Sequence, residues 1–191
     1  MHVVCCEGAT EAHYINGYRA RHKGAVVVEV RVVGQCGVPS SVVEAAVRER
    51  AQARRELRRD GLLAAVQLTT WAVVDRDEHP PAIVGRARDL AASNDVHLLM
   101  SNPCFELWPL LHLAEQSAWI HRHDCQRRLH EVMPRYHHDE HPYVDLDPLD
   151  GREAEAERRA QALSAHHSET GTEDDNPSTE IWRLCRAIRG D

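Results

Sequence analysis

Lysine is almost missing from this 191-residue chain: Lys23 is the sole lysine among its 23 basic residues. That excludes most lysine-centred chemistry. With no G-x-x-x-x-G-K-[ST] run there is no P-loop, so the chain is not itself a Walker-type ATPase. Long apolar runs are missing too; stretches such as residues 61–66 fall far short of the ~20 residues that a membrane span needs. The opening Met1-His2-Val3-Val4-Cys5-Cys6 has no basic n-region and is not a signal peptide. No C-x-x-C pair and no repeat of 20–50 residues is present. Together these absences predict a soluble, cytoplasmic protein with no membrane partner.

What is there suits an ordinary globular chain. Apolar residues make up 42% and charged residues 28%, enough for one domain with a real core and a helical extension. The six cysteines, Cys5, Cys6, Cys36, Cys104, Cys125 and Cys185, are scattered. They are expected to be small buried hydrophobes in a reducing compartment, with Cys5 and Cys6 on opposite faces of a strand. The net charge of −7 is uneven, since Asp145 to Asp175 holds ten acids against three arginines. Residues 1–144 are close to neutral, so the acidity belongs to a C-terminal appendage. It does not argue against a polyanionic substrate in the body.

Strand-like and helix-like segments alternate over the first 114 residues. Met1–Cys6, Ala25–Val33, Gln67–Val74 and Val96–Met100 read as strands. Between them, Glu11 to about Arg21 behind a Thr10 cap, Pro39 to about Arg59, and a stretch opened by Pro80-Pro81 and running to about Ser93 read as helices. Ser101-Asn102-Pro103 then caps an apolar helix from Cys104 to Ala114. This order predicts βαβ units and an α/β fold with a mostly parallel sheet flanked by helices. From Trp119 onward only helices are expected, at about His123–Met133, Arg152–Ala165 and Thr179–Ile188. Residues 137–150 and 168–178 form polar connections between them.

Ligands of open parallel sheets gather beyond the carboxyl ends of the strands. Glu7 follows the first strand, and Asp75 and Asp77 follow the third, two residues apart and therefore on one side of an extended chain. A carboxylate trio at a strand edge suits a hard cation such as Mg²⁺ and phosphoryl chemistry; a polar turn is the plain alternative. Glu106 sits in an apolar helix start, where a buried carboxylate needs a partner or a metal, or else meets the helix dipole as a first-turn acid. Cys104 with His112 or His97 is a rival, nucleophilic reading. His121-x-His123-x-Cys125 and His137-His138-x-x-His141 match no standard zinc spacing and read as solvated surface. The arginines of residues 48–59 are interleaved with acids, which favours a salt-bridged surface over a phosphate-tracking stripe.

The motifs together are more specific. Cys6-Glu7-Gly8-x-Thr10-Glu11-x-x-Tyr14, Val74-Asp75-Arg76-Asp77-Glu78, Ser101-Asn102-Pro103-Cys104-Phe105-Glu106-Leu107-Trp108-x-Leu110-Leu111-His112 and Asn176-Pro177-Ser178-Thr179 resemble the RloB family, in order and over nearly the whole chain. The resemblance implies a Toprim-like catalytic domain over residues 1–114 and a helical C-terminal extension over 115–191 within the same unit. It implies Glu7 as metal ligand or general acid/base, Asp75 and Asp77 as ligands of Mg²⁺ or Mn²⁺, and Glu106 as a fourth site carboxylate. The basic residues that usually accompany the first motif are missing, since Ala9 stands beside Gly8, so phosphate charge must be met by arginines elsewhere. The implied activity is cleavage of nucleic acid, RNA (including tRNA) or DNA, in bacterial anti-phage defence beside an ABC-class ATPase partner. A homodimer is left open. The alternative is a non-catalytic assembly subunit that docks to the ATPase through its C-terminal helices, among which Ile181, Trp182, Leu184, Cys185 and Ile188 form a helically spaced apolar set.

Overall fold

The computed structural model describes residues 1–22, 26–32, 38–76, 79–171 and 176–191. Strand β1 (His2–Cys6), helix α1 (Ala9–Arg21), β2 (Val28–Val32), α2 (Pro39–Arg59), β3 (Thr69–Asp75), α3 (Pro81–Ser93) and β4 (His97–Asn102) alternate as the hydrophobic patterning requires. The remainder is α4 (Leu107–Leu113), α5 (Arg122–Val132), a 3₁₀ turn at Asp147–Leu149, α6 (Glu153–Thr170), β5 (Ser178–Thr179) and α7 (Ile181–Arg189). The sheet order is β2-β1-β3-β4-β5. Strands β1 to β4 are parallel, with Cys6 beside Val32 on one side and Val73 on the other. The α/β class and the mostly parallel sheet are as expected. No described helix is long and apolar enough to cross a membrane.

Strand alternation divides the core. Val4, Cys6, Trp71, Val73 and Leu99 face one way and pack under α1 and α4 to α7. Cys5, Ala72, Val74 and Met100 face the other and pack under α2 and α3. Cys5 and Cys6 thus point to opposite faces, and all the described cysteines are buried and unbridged; Cys36 lies outside the described residues.

Three local expectations need correction. The helix α1 begins at Ala9 with Gly8 as its cap in extended conformation (φ −125°, ψ 176°), and Thr10 is buried inside its first turn. A Cβ on Gly8 would stand 2.8 Å from Glu11 Oε2, so a side chain in place of this glycine would displace that carboxylate. The apolar helix starts at Leu107 instead of Cys104, because Ser101 and Asn102 continue β4. Their backbone groups are engaged by Asp75 on one side and by Ser178 and Thr179 on the other.

The last correction concerns the C-terminal extension, which is not purely helical. Its strand β5 pairs antiparallel with β4 through Ser101↔Thr179 and Asn102↔Ser178, and the hydroxyls of Ser101 and Thr179 lie 2.8 Å apart. Residues before and after position 115 share one hydrophobic core. Ile181, Leu184, Cys185 and Ile188 are all buried in it, so the apolar face of α7 is turned inward to the body. Two polar stitches fasten α1 to this layer: Arg21 pairs with Asp147 and Arg189 donates to the Tyr18 hydroxyl at 2.9 Å. On the surface of α2, Arg50 pairs with Asp95 and Arg59 with Asp60 at 2.9 Å, while the α2 acid Glu49 meets Arg31 of β2 at 3.3 Å.

Candidate functional site

The strand order reverses between β1 and β3, whose neighbours β2 and β4 lie on opposite sides. Chains leaving two such strands diverge and open a crevice at their carboxyl ends. A cleft of about 400 Å³ lies there, lined by Glu7, Glu11, Asp75, Glu106, Arg122 and His138, with Gly8, Ala9, Thr10, Phe105 and Pro142 completing its walls. Five separate segments supply these residues. Glu7 leaves β1, Glu11 stands in the first turn of α1, and Asp75 ends β3. Glu106 immediately precedes α4, Arg122 opens α5, and His138 comes from the connection after α5.

Two of the three expected metal ligands, Glu7 and Asp75, are therefore brought to one cleft together with Glu106. Asp77 lies outside the described residues. Among the described residues, no three His, Cys, Asp or Glu side chains approach closely enough to enclose a metal ion between them. Asp75 is held in place at Oδ1, which accepts the backbone N–H of Phe105 at 2.8 Å. That bond ties the end of β3 to the turn ahead of α4, next to Glu106.

Glu106 is buried, and its side chain does not cap α4. Its Oε1 accepts the Tyr136 hydroxyl and the ring Nδ1 of His138, the latter at 3.0 Å. Burial alone pushes the carboxyl up, but hydrogen bonds from His138, Tyr136 and Cys104 outweigh it and hold Glu106 below the usual carboxylate range. The same bond raises the His138 imidazole, against a smaller opposing effect of burial. Tyr136 is fully buried, and burial first, then the Glu106 charge, pushes its phenol far up. It remains a hydroxyl donor.

Glu11 is 5% exposed. Burial, followed by the like charges of Glu106 and Glu7, pushes its carboxyl up to about 7. Burial is the main cause, and the two neighbouring carboxylates add to it. Sequence reasoning missed Glu11, Tyr136, His138 and Arg122. The first carried a signal, because Glu11 stands in the same short motif as Glu7. The others are joined to the site only by long-range packing.

The rival nucleophile is not supported by its surroundings. Cys104 is fully buried; a hydrogen bond with Cys125 and burial raise its thiol well above the ordinary value, which disfavours the thiolate. His112 is buried with Nδ1 at 3.0 Å from Trp108 O, and His97 stacks on Trp71 at the opposite end of the strand. The histidine-rich segment is only partly surface. His137 and His141 pair through their backbones, whereas His138 turns inward to Glu106, because the buried carboxylate offers it a partner that water would otherwise supply.

A search of curated proteins and of solved structures returns no match. A family profile described as RloB-like protein matches residues 2–188. With its motifs, sheet and cleft coinciding over that span, the chain belongs to the RloB-like protein family.

Proposed function

We propose that this cleft cleaves phosphodiester bonds of nucleic acid with the help of Mg²⁺ or Mn²⁺, as the effector of an anti-phage defence system working with an ABC-class ATPase, and that residues 1–114 follow the Toprim pattern. The observation that carries the proposal is the placement of Glu7 and Asp75 on adjacent parallel strands at the crevice where the sheet order reverses. Their chemistry fits a hard cation. They offer carboxylate oxygens, and the like charges of Glu106 and Glu7 on the buried Glu11 beside them are ones that an added cation would offset. Glu7 and Asp75 would hold the ion, with Asp77 as the third expected ligand. When bound, it supplies charge neutralisation at the phosphoryl oxygens and a more acidic water.

The residues of the chain do the rest. The Phe105 N–H fixes the Asp75 carboxylate so that one oxygen keeps a constant direction. Glu11, with a proton affinity near neutrality, takes the proton of the attacking water. Arg122 supplies the positive charge for the substrate phosphate that the first motif lacks. The test is direct: end-labelled tRNA and DNA are incubated with the purified chain in Mg²⁺, Mn²⁺ or EDTA, alongside Asp75→Asn. Cleavage by the parent with metal, falling to the EDTA background in the variant, is expected. A parent that leaves every polymer intact with either metal overturns the proposal, and a fully active Asp75→Asn removes Asp75 from it.

A further inference from the structure

His138 has an environment that a surface histidine does not need. Its side chain is 39% exposed while the Glu106 carboxylate beneath it is 3% exposed, so the pair spans the boundary between core and cleft. Its Nδ1 faces Glu106 Oε1 at 3.0 Å and the Tyr136 hydroxyl at 3.3 Å, with the Gln126 side-chain amide 3.1 Å away. Nδ1–H has one proton to give, and the Glu106 carboxylate is its acceptor; the Tyr136 hydroxyl donates to the same carboxylate oxygen. Among the described residues nothing hydrogen-bonds to Nε2, and His138 lines the cleft shared with Glu7 and Asp75. A buried carboxylate on Nδ1 sets the ring orientation and stabilises the imidazolium, which leaves Nε2–H as the ring's other donor. The charged and titratable groups around the ring are Glu106, Tyr136, Asp139, Arg122 and, from α1, Glu11. Acids outnumber the single arginine, so the protonated ring is favoured.

We propose that His138 is a catalytic acid of this site, protonating the departing oxygen of the cleaved phosphodiester, and that Glu106 and Tyr136 are its positioning residues. The proposal rests on the nuclease reading above. In the step, an oxygen of water forms a new bond to phosphorus and its proton passes to a cleft carboxylate. The P–O bond to the departing nucleoside breaks, its electron pair stays on that oxygen, and the oxygen takes the proton from Nε2. The neutral imidazole is then reprotonated from solvent. This assigns Glu106 a task different from that of Glu7 and Asp75: it holds a ring where they face the crevice directly.

The experiment compares the parent, His138→Gln and Tyr136→Phe on two matched substrates. One has the natural bridging oxygen and the other has sulfur as the departing atom, which leaves without a proton. His138→Gln is expected to slow the oxygen substrate by ~10²–10³-fold and the sulfur substrate by no more than a few-fold. The parent rate should fall on the alkaline side as His138 loses its proton. That limb should be absent in His138→Gln and displaced to another pH in Tyr136→Phe. Equal slowing of both substrates, or an unchanged rate on the oxygen substrate with the alkaline limb retained, overturns the proposal while leaving the nuclease reading intact. A parent that cleaves neither substrate overturns both. A melting curve for His138→Gln matching the parent ensures that lost rate is not lost fold.

Discussion

The two faces of the sheet are built to different rules. Under α2 and α3 the core is thin and made of small side chains, Val42, Val43, Ala46, Val84, Ala87 and Ala91, with no aromatic residue. Under α1 and α4 to α7 it is thick and holds Tyr14, Phe105, Trp108 and Tyr136. Polar groups divide in the same way. Ion pairs on the thin face are at the surface, as with Arg31 and Glu49, whereas the thick face buries Glu11, Glu106, His112, Glu157 and His167. One face is a plain βαβ layer that holds strands in register. The other accepts buried charge, and it supplies the cleft with Glu11, Glu106 and His138. Buried polar groups of this kind cost stability unless partnered, which is why the thick face is also the more heavily packed one.

The comparison predicts unequal damage. Trp108 is almost wholly buried and its Nε1 donates to the Tyr14 hydroxyl at 2.8 Å, so Trp108→Ala should cost ~3–5 kcal/mol. Val43→Ala on the thin face removes only two methyl groups and should cost ~2 kcal/mol. Equilibrium denaturation measures both, and equal losses would break the contrast.

Next in size is a pair of opposed pH effects on the thick face. Burial pushes Glu11 up from 4.5 to about 7, so between those values the folded chain binds more protons there than the unfolded chain, and stability falls as pH rises. Glu11→Gln should therefore be neutral at low pH and stabilising by ~3 kcal/mol above pH 7 in EDTA. Burial holds His112 down from 6.5 to about 4. Its contribution is complete above pH 6.5 and is lost as pH falls towards 4. The parent should show a shallow profile because the two slopes oppose, and Glu11→Gln should expose a stability that rises from pH 4 to 6.5. Melting temperatures across pH 4–8 decide this; identical profiles for the two proteins would sink the account of Glu11.

A smaller effect belongs to the thin face. Glu49→Gln breaks a part-exposed pair with Arg31 and should change stability by less than ~0.5 kcal/mol, vanishing in high salt. A loss as large as that of Val43→Ala would mean that the surface charges of α2 carry structural weight after all.

Much of the thin face and half of the cleft were legible in the sequence. The β-branched runs and the helix starts at Pro39 and Pro81 were clear local signals, and Glu7 and Asp75 stood at strand ends, where position alone suggests a role. The rest depended on distance along the chain. Strand β5 is two residues long, too short for any periodic pattern, and exists because β4 offers it an edge. Glu106 announced that it needed a partner, but nothing in the spacing pointed to Tyr136 and His138, about thirty residues away. Thr10 had the right chemistry for a cap, yet the helix begins one residue before it, at Ala9, with Gly8 in the cap position. Asp77 lies outside the described residues, so its place in the site rests on the D-x-D pattern and is tested by the metal-dependent melting of Asp77→Asn. Mg²⁺ or Mn²⁺ should raise the melting temperature of the parent, and that stabilisation should largely disappear in Asp77→Asn.

The antiparallel pairing of Thr179 with Ser101 also orders events during synthesis. Until residue 179 has left the ribosome, β4 presents an unpaired edge and α7 has not yet closed over the thick face. The nascent chain therefore carries Glu7, Asp75, Glu106 and His138 before the layer beneath them is complete. A message ended before residue 179 therefore yields these cleft side chains without the strand that seals the sheet, because that segment is translated more than a hundred residues after Asp75.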